Sequence, residues 1–179
     1  MIVLMGMKHC GKTTLGCLLA EKLGAAFVDL DEEMQYLAAR KSGRLRTVRE
    51  IYHSEGEEAF RALETETLRK VAAEHGTKDP AVLALGGGTI ENTEALAAIE
   101  GCLWVYLDED EEVLFERIAR EGLPPFLAGE DPRGNFRRIY EKRTAMYREK
   151  AALTINLRGK TPQETLAELV SRPELSRGR

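Results

Sequence analysis

Apolar residues follow two patterns along this chain: short, mainly apolar runs, and longer stretches in which apolar positions recur every three or four residues. The short runs predict buried strands, and they cover 2–5, 26–31, 81–85, 103–107 and 153–157. The recurring pattern predicts helices over 32–39, 57–76, 92–100, 110–120, 136–148 and 162–170. It also predicts one helix that ends at 24 and another that begins at 47. Strands that alternate with helices favour a parallel sheet with helices on both faces. We therefore predict an α/β fold with five parallel strands.

Local signals refine these boundaries. Three pairs have the spacing of capping boxes and predict helix starts, and they are Thr47 with Glu50, Asp108 with Glu111, and Thr161 with Glu164. Gly56 predicts a corner between two helices. The segment 121–134, which we name the lid segment, contains three prolines and three glycines and is predicted to be a long loop and a candidate lid. The polar stretch 171–179 predicts a frayed tail.

The first strand leads into a phosphate-binding pattern. Residues 6–13 read Gly-Met-Lys-His-Cys-Gly-Lys-Thr, which matches GxxxxGK[ST], and the predicted strand and helix on either side are the context that this pattern requires. The glycines let backbone N–H groups face the phosphates, the lysine reaches the β- and γ-phosphate oxygens, and the threonine hydroxyl binds Mg²⁺. The predicted nucleotide-binding residues are Gly6, Met7, Lys8, His9, Cys10, Gly11, Lys12, Thr13 and Thr14. For Lys8 and His9, a solvated loop surface is the favoured interpretation, and added positive charge beside the phosphates is the alternative.

Two carboxylates end the second apolar run, at Asp29 and Asp31. Ligands of open parallel sheets bind beyond the carboxyl ends of the strands, so we expect both side chains near the terminal phosphate of the nucleotide. The alternative is that Asp31 caps the following helix.

A run of three glycines, 86–88, follows the third predicted strand directly. Glycine is costly in chain entropy, so the run indicates close backbone approach to a ligand or a sharp turn, with a plain loop as the alternative. Arg61 lies near the start of the helix predicted from 57, where a cation opposes the helix dipole. From the residues alone, a surface salt bridge to Glu57, Glu58 or Glu64 is the favoured interpretation of Arg61.

Composition limits the remaining possibilities. The chain has 179 residues, of which 43% are hydrophobic and 31% charged, as expected for one globular domain over 1–179. A net charge of −4 argues against nucleic acid as the main partner. Three cysteines without zinc or CxxC spacing indicate reduced thiols, and no apolar run is long enough to span a bilayer, so we expect a cytoplasmic protein with no membrane partner. A short P-loop chain with a proline-rich lid favours a small-molecule phosphotransferase over a GTPase or motor.

Six motifs occur in the order and spacing of the shikimate kinase family, which the chain resembles from 1 to about 170. They are the P-loop, Asp29-x-Asp31, Gly56-Glu57-Glu58-Ala59-Phe60-Arg61, Gly86-Gly87-Gly88, Leu127-Ala128-Gly129 and Lys142-Arg143-x-x-x-Tyr147. The resemblance implies a P-loop kinase fold with an acceptor-binding helical region at about 32–76. It also implies transfer of the γ-phosphoryl group of ATP to the 3-hydroxyl of shikimate, with Mg²⁺ as cofactor, by a protein expected to be a monomer.

The same resemblance assigns roles to individual residues. Lys12 would be catalytic, Asp31 would hold the reacting hydroxyl and act as its base, and Asp29 would support Mg²⁺ through water beside Thr13. Arg61 and Arg143 would bind the acceptor carboxylate together with the backbone of Gly86, Gly87 and Gly88, which suits the forked geometry of guanidinium groups. Arg117 and Pro162 fall near the positions that sandwich the adenine of ATP in this family.

One position departs from the family pattern. Pro124 stands where the family has a lid arginine that folds over the transferring phosphoryl group. A charge-stabilising arginine is worth about 10³–10⁵ in rate. Either another cation replaces it, with Arg120, Arg133 and Lys8 as candidates, or turnover is slow, or the protein acts on something else. Two other functions stay open at this point: a kinase of another small hydroxy acid or polyol, and an ATP-binding regulatory protein that has lost turnover.

Overall fold

Five parallel strands form one sheet in the order β2-β3-β1-β4-β5. The computed structural model describes residues 1–75, 80–124, 127 and 129–176. Its strands are β1 (Ile2–Met5), β2 (Ala26–Asp29), β3 (Ala81–Ala84), β4 (Leu103–Asp108) and β5 (Leu153–Asn156). Its helices are α1 (Lys12–Leu23), α2 (Leu30–Ser42), α3 (Val48–His75), α4 (Thr93–Ala97), α5 (Glu111–Glu121), α6 (Pro132–Lys150), α7 (Pro162–Val170) and α8 (Pro173–Ser176), with a 3₁₀ turn at Thr89–Glu91. The predicted α/β fold with a five-stranded parallel sheet is confirmed.

The register of the sheet aligns the ends of its strands. Val3 in β1 lies opposite Leu83 in β3 and opposite Trp104 in β4. All three residues are buried, as expected for parallel strands covered on both faces. Because the strands are parallel, the loop after β1, the start of α2 and the glycine run after β3 all lie at one edge of the sheet. This edge is where the candidate site forms.

The second strand is shorter than predicted. It ends at Asp29, and α2 begins at Leu30 rather than at residue 32. Asp29 is the N-cap, because its Oδ1 accepts the backbone N–H of Asp31 at 3.0 Å. The alternative in which Asp31 caps this helix is therefore wrong, and Asp31 is left free to point elsewhere from the first turn.

The helical region at about 32–76 follows its predicted outline. The capping box of Thr47 and Glu50 is present, since the Glu50 carboxylate accepts the Thr47 N–H at 2.7 Å and the Thr47 hydroxyl accepts the Glu50 N–H at 3.2 Å. Gly56 interrupts α3 with φ 83° and ψ 174°, values that glycine adopts easily, and this confirms the predicted corner. The predicted end of the helix at residue 76 lies outside the described residues.

Two predicted elements in the middle of the chain are wrong in extent or kind. The helix predicted over 92–100 is limited to α4, although Asn92 caps it by accepting the Ala95 N–H at 3.2 Å. The capping box predicted at Asp108 does not form, because Asp108 is the last residue of β4 and its carboxylate accepts the Tyr106 hydroxyl at 2.8 Å. Asp110 takes the cap position instead.

The ends of the lid segment and of the chain also differ from prediction. Helix α6 begins at Pro132, with Asp131 accepting the Gly134 N–H at 2.8 Å, so the connection after α5 is shorter than 121–134. The predicted frayed tail instead contains α8, in which Leu175 is buried. The capping box of Thr161 and Glu164 is confirmed.

Candidate active site

The phosphate loop, residues 6–13, curls around the ammonium group of Lys12. This buried Nζ donates to the carbonyl oxygens of Gly6 at 3.0 Å and Met7 at 2.9 Å, and lies 3.9 Å from Cys10 Sγ. Gly11 precedes α1 with φ 97°, a conformation that a residue with a Cβ rarely adopts. The ammonium and the first N–H groups of α1 therefore lie together, as binding of phosphate at a helix N-terminus requires.

Arg117 approaches the rim of this loop. Its Nη1 donates to the carbonyl of His9 at 2.8 Å, and its guanidinium pairs with Glu109 at 3.2 Å. His9 has φ 66°, and its Nδ1 lies 3.3 Å from the Glu121 carboxylate, although burial lowers the pKa of this imidazole. Arg117, which falls near a family position that sandwiches adenine, thus lies next to the phosphate loop. Thr14 is exposed in the first turn of α1.

The two predicted metal-site residues are in contact. Thr13 Oγ1 donates to Asp29 Oδ2 at 2.8 Å, at the junction of α1 and the end of β2. A hydroxyl and a carboxylate beside a phosphate loop are the hard oxygen donors that Mg²⁺ prefers, so these residues fit a magnesium ion held jointly with the phosphates.

Asp31 lies between the phosphate loop and the glycine run. A Cβ built on Gly86 would be 3.0 Å from Asp31 Oδ1, closer than an ordinary contact, so a side chain at this position would displace the carboxyl group. Burial, followed by the negative charge of Asp29, raises the pKa of Asp31 to about 6. The ammonium groups of Lys12 and Lys8 oppose this rise. A carboxyl group with this pKa can accept a proton from a substrate near neutral pH.

The glycine run separates two arginines from the phosphate loop. A Cβ on Gly88 would lie 3.2 Å from Arg143 Nη2 and 3.7 Å from Arg61 Nη2, while a Cβ on Gly87 would lie 2.9 Å from the backbone nitrogen of Lys8. The absence of side chains in this run therefore lets guanidinium groups approach from one side and the phosphate loop from the other.

Arg61 is held by a buried network. Its Nη1 donates to Glu64 at 3.0 Å and to the carbonyl of Gly88 at 3.1 Å. The Glu64 side chain is only 3% exposed, and it also accepts from Thr89 at 2.7 Å and from Asn92 at 2.8 Å. The interpretation of Arg61 as a surface salt bridge was right about its partner Glu64 and wrong about the surface. Sequence reasoning missed Glu64 as a functional residue, although its position three residues after Arg61 was a usable signal.

Arg143 is held differently, by Glu91 at the end of the 3₁₀ turn. Its Nη2 donates to Glu91 Oε2 at 2.7 Å and its Nε to the same oxygen at 3.0 Å. One turn further along α6, the Tyr147 hydroxyl donates to the carbonyl of Gly87 at 2.5 Å. Glu91 was also missed by sequence reasoning, and its only signal was proximity to the glycine run.

The candidates for a replacement of the lid arginine have different surroundings. Arg120 is 79% exposed and lies 3.8 Å from Glu116. Arg133 pairs with Glu112 and lies over the Phe115 ring, 4.9 Å from its centre. Lys8 is exposed in the phosphate loop, and among the described residues no carboxylate lies within 4.0 Å of its ammonium. Of these three cations, only Lys8 is part of the phosphate loop.

A phosphate loop, a carboxyl group with a raised pKa and two guanidinium groups around one glycine run define a P-loop phosphotransferase that acts on a small molecule. The family model for shikimate kinase matches residues 8–174, and the chain belongs to the shikimate kinase family. It is 38% identical to shikimate kinase from Thermobifida fusca, over 95% of this chain and 92% of that protein. It is 37% identical to shikimate kinase from Streptomyces coelicolor, over 98% and 96% of the two chains.

Solved structures agree with this assignment. Shikimate kinase from Acinetobacter baumannii in complex with shikimate superposes with a TM-score of 0.82 and 32% identity, covering 98% of this chain and 93% of that one. The enzyme from Bacteroides thetaiotaomicron gives a TM-score of 0.75 with 28% identity, covering 95% and 96%. The family resemblance found in the sequence is confirmed. In the part of the chain that the structure describes, no helix is both long and apolar enough to cross a membrane.

Proposed function

We propose that this protein transfers the γ-phosphoryl group of ATP to the 3-hydroxyl of shikimate. The observation that carries the proposal is the approach of two guanidinium groups, Arg61 and Arg143, to Gly88 across from the phosphate loop. Shikimate is a small carboxylic acid with several hydroxyls, and such an acceptor needs a carboxylate-binding group at one end and a phosphoryl donor at the other. Family membership supports the same acceptor.

The phosphate loop would bind the nucleotide through its backbone N–H groups and Lys12. The Lys12 ammonium donates to loop carbonyls at 2.9 and 3.0 Å, and we propose that it exchanges these partners for β- and γ-phosphate oxygens when the nucleotide binds. Thr13 and Asp29 would hold Mg²⁺, Asp29 through a water molecule. When bound there, the ion neutralises charge on the phosphate oxygens.

Asp31 would orient the acceptor hydroxyl and take its proton. As the hydroxyl oxygen forms its bond to the γ-phosphorus, the bond from that phosphorus to the bridging oxygen of ADP breaks, and the hydroxyl proton moves to the Asp31 carboxylate. With a pKa of about 6, Asp31 is mainly ionised at neutral pH and can accept this proton. The rest of the rate enhancement would come from positioning and charge neutralisation.

We assign part of that neutralisation to Lys8. Its backbone nitrogen lies against Gly87, and its positive charge lowers the pKa of Asp31. Its side chain therefore extends from the point where the phosphate loop meets the glycine run. Its flexible side chain would reach the transferring group in place of an arginine from the lid segment.

The test is purified protein with ATP, Mg²⁺ and shikimate, followed by ADP release and by mass spectrometry and ³¹P NMR of the product. We expect ADP release that depends on shikimate and a single phosphate ester at the 3-position. Release only with other hydroxy acids or polyols would replace the acceptor, and tight ATP binding without release would indicate a regulatory protein. The Asp31→Asn variant is the control for background ATP hydrolysis.

A further inference from the structure

We propose that Glu91 is a positioning residue that orients the Arg143 guanidinium toward the acceptor carboxylate. This inference rests on the proposed function, because it needs an acceptor that carries a carboxylate. Glu91 lies in the 3₁₀ turn that directly follows the glycine run, and its backbone N–H donates to the carbonyl of Gly88 at 3.1 Å. The same short segment therefore supplies the backbone that faces the acceptor and the carboxylate that holds Arg143.

The contact occupies one edge of the guanidinium. Nε and Nη2 of Arg143 donate to the same oxygen, Glu91 Oε2, at 3.0 and 2.7 Å. An arginine has five N–H donors, so Nη1 and the second hydrogen of Nη2 are left over. Among the described residues, Nη1 of Arg143 has no hydrogen-bond partner. Since Nη2 lies 3.2 Å from the Cβ position of Gly88, the unused donors are next to the glycine run, where a carboxylate would accept them.

Arg61 provides an independent comparison within the same site. Its Nη1 is used by Glu64 and by the carbonyl of Gly88, at 3.0 and 3.1 Å, and its Nη2 lies 3.7 Å from the Cβ position of Gly88. Each guanidinium thus pairs closely with one carboxylate, Glu64 or Glu91, and presents Nη2 at the same glycine. Glu57 lies further from Arg61, with its carboxylate 3.9 Å from Nε. Two arginines held in this way present their donors in fixed directions, which lowers the entropy lost when an acceptor carboxylate binds.

Glu91 is suited to a constant holding role. Burial raises the pKa of its carboxyl group, but the hydrogen bond from Lys142 and the charge of Arg143 outweigh this effect and keep the pKa below its ordinary value. Lys142 donates to the other carboxylate oxygen at 2.5 Å and is itself 66% exposed. The carboxylate is therefore ionised and anchored from both oxygens throughout the neutral pH range.

The experiment compares Glu91→Ala, Glu91→Gln and the control Lys142→Met in steady-state assays of the full chain with ATP, Mg²⁺ and shikimate. We expect Glu91→Ala to raise KM for shikimate about tenfold, while kcat and KM for ATP change less than twofold. Glu91→Gln keeps an oxygen that accepts from Arg143, and it should recover most of the loss. Lys142→Met removes the other partner of Glu91 but keeps its bonds to Arg143, and it should raise KM for shikimate much less than Glu91→Ala does.

A second arm tests whether Glu91 acts through Arg143. In an Arg143→Ala background, the further change Glu91→Ala should leave KM for shikimate unaltered. The inference is overturned if Glu91→Ala leaves KM unchanged in the wild-type background, if Glu91→Gln is as impaired as Glu91→Ala, or if the effect persists without Arg143. These results need a wild-type enzyme that phosphorylates shikimate. A wild type without such activity, and without shikimate binding by calorimetry, would overturn the proposed function and this inference with it. If Glu91→Ala does not fold, the Glu91→Gln variant and its double variant with Arg143→Ala carry the test.

Discussion

The two halves of the site are built in different ways. The phosphate half is one continuous stretch, residues 6–14, in which we propose that the backbone and Lys12 do most of the binding. The acceptor half combines Arg61, the glycine run and Arg143 from three distant parts of the chain. Arg61 pairs with Glu64 three residues later on the same helix, and Arg143 pairs with Glu91 from the turn after the glycine run. In the proposed function, recognition of phosphate therefore depends on local backbone geometry, whereas recognition of the small acid depends on side chains that only tertiary structure can align.

The largest effect should come from the phosphate half. We expect Lys12→Met to lower kcat by about 10²–10³-fold, because it removes a positive charge aimed at the phosphoryl group. Binding of shikimate, measured by calorimetry, should not change. The matched control is Lys22→Met, at the exposed end of the same helix. If Lys12→Met weakened shikimate binding as strongly as turnover, the two halves would not be separable.

The two arginines should separate acceptor binding from stability. We expect Arg61→Ala and Arg143→Ala each to raise KM for shikimate by about 10–100-fold, since each removes charge-assisted hydrogen bonds. Arg61→Ala also leaves the buried Glu64 carboxylate without its cation and should lower the free energy of unfolding by about 2 kcal/mol. Arg143→Ala should cost less, because Glu91 keeps Lys142 and is 20% exposed. Urea denaturation of both variants checks the difference, and equal losses of stability would contradict it.

Variants of Lys8 test which residue supplies the positive charge of the missing lid arginine. We expect Lys8→Met to lower kcat by about tenfold, a part of what a dedicated catalytic donor contributes, while KM for shikimate stays the same. Lys8→Arg should restore most of the activity. The comparison variants Arg120→Met and Arg133→Met should turn over like the wild type, and a large loss of kcat in either would transfer the role to that arginine.

Neighbouring glycines should show where the halves meet. In Gly87→Ala the new Cβ would lie 2.9 Å from the Lys8 backbone nitrogen, so the backbone has to move and KM should rise severalfold for both ATP and shikimate. In Gly88→Ala the contacts are with the ends of two arginine side chains, at 3.2 and 3.7 Å, which can shift. There we expect KM to rise for shikimate alone. Full kinetics of both variants measure this, and identical profiles would argue against the division at Gly87.

The smallest effect concerns pH. Because the pKa of Asp31 is raised to about 6, the free enzyme holds this carboxyl group ionised above that pH and protonated below it. A protonated Asp31 cannot accept the hydroxyl proton, so kcat/KM for shikimate should fall about twofold at pH 6 and tenfold for each further unit of acidification. ATP affinity measured by calorimetry should stay nearly constant from pH 6 to 8. A kcat/KM profile that is flat down to pH 5 would remove Asp31 from the role of base.

The sequence predicted the phosphate loop and the fold well because both depend on local patterns, namely a motif within eight residues and the alternation of strands and helices. It named Glu64 only as one of three possible partners of Arg61 and did not single out Glu91. The bonds of Glu64 to Thr89 and Asn92 and the bonds of Glu91 to Arg143 join positions that are far apart in the chain. Asp108 shows the opposite error. Its spacing to Glu111 fitted a capping box, but a tyrosine two residues earlier in the strand took its carboxylate.

Asp29 uses its two oxygens for two tasks, capping α2 through Oδ1 and accepting from Thr13 through Oδ2. In the proposed function, natural selection on nucleotide binding and on the geometry of α2 therefore acts on this one residue. Even an isosteric change to asparagine would alter both at once, which leaves this position little freedom to drift while either task is required.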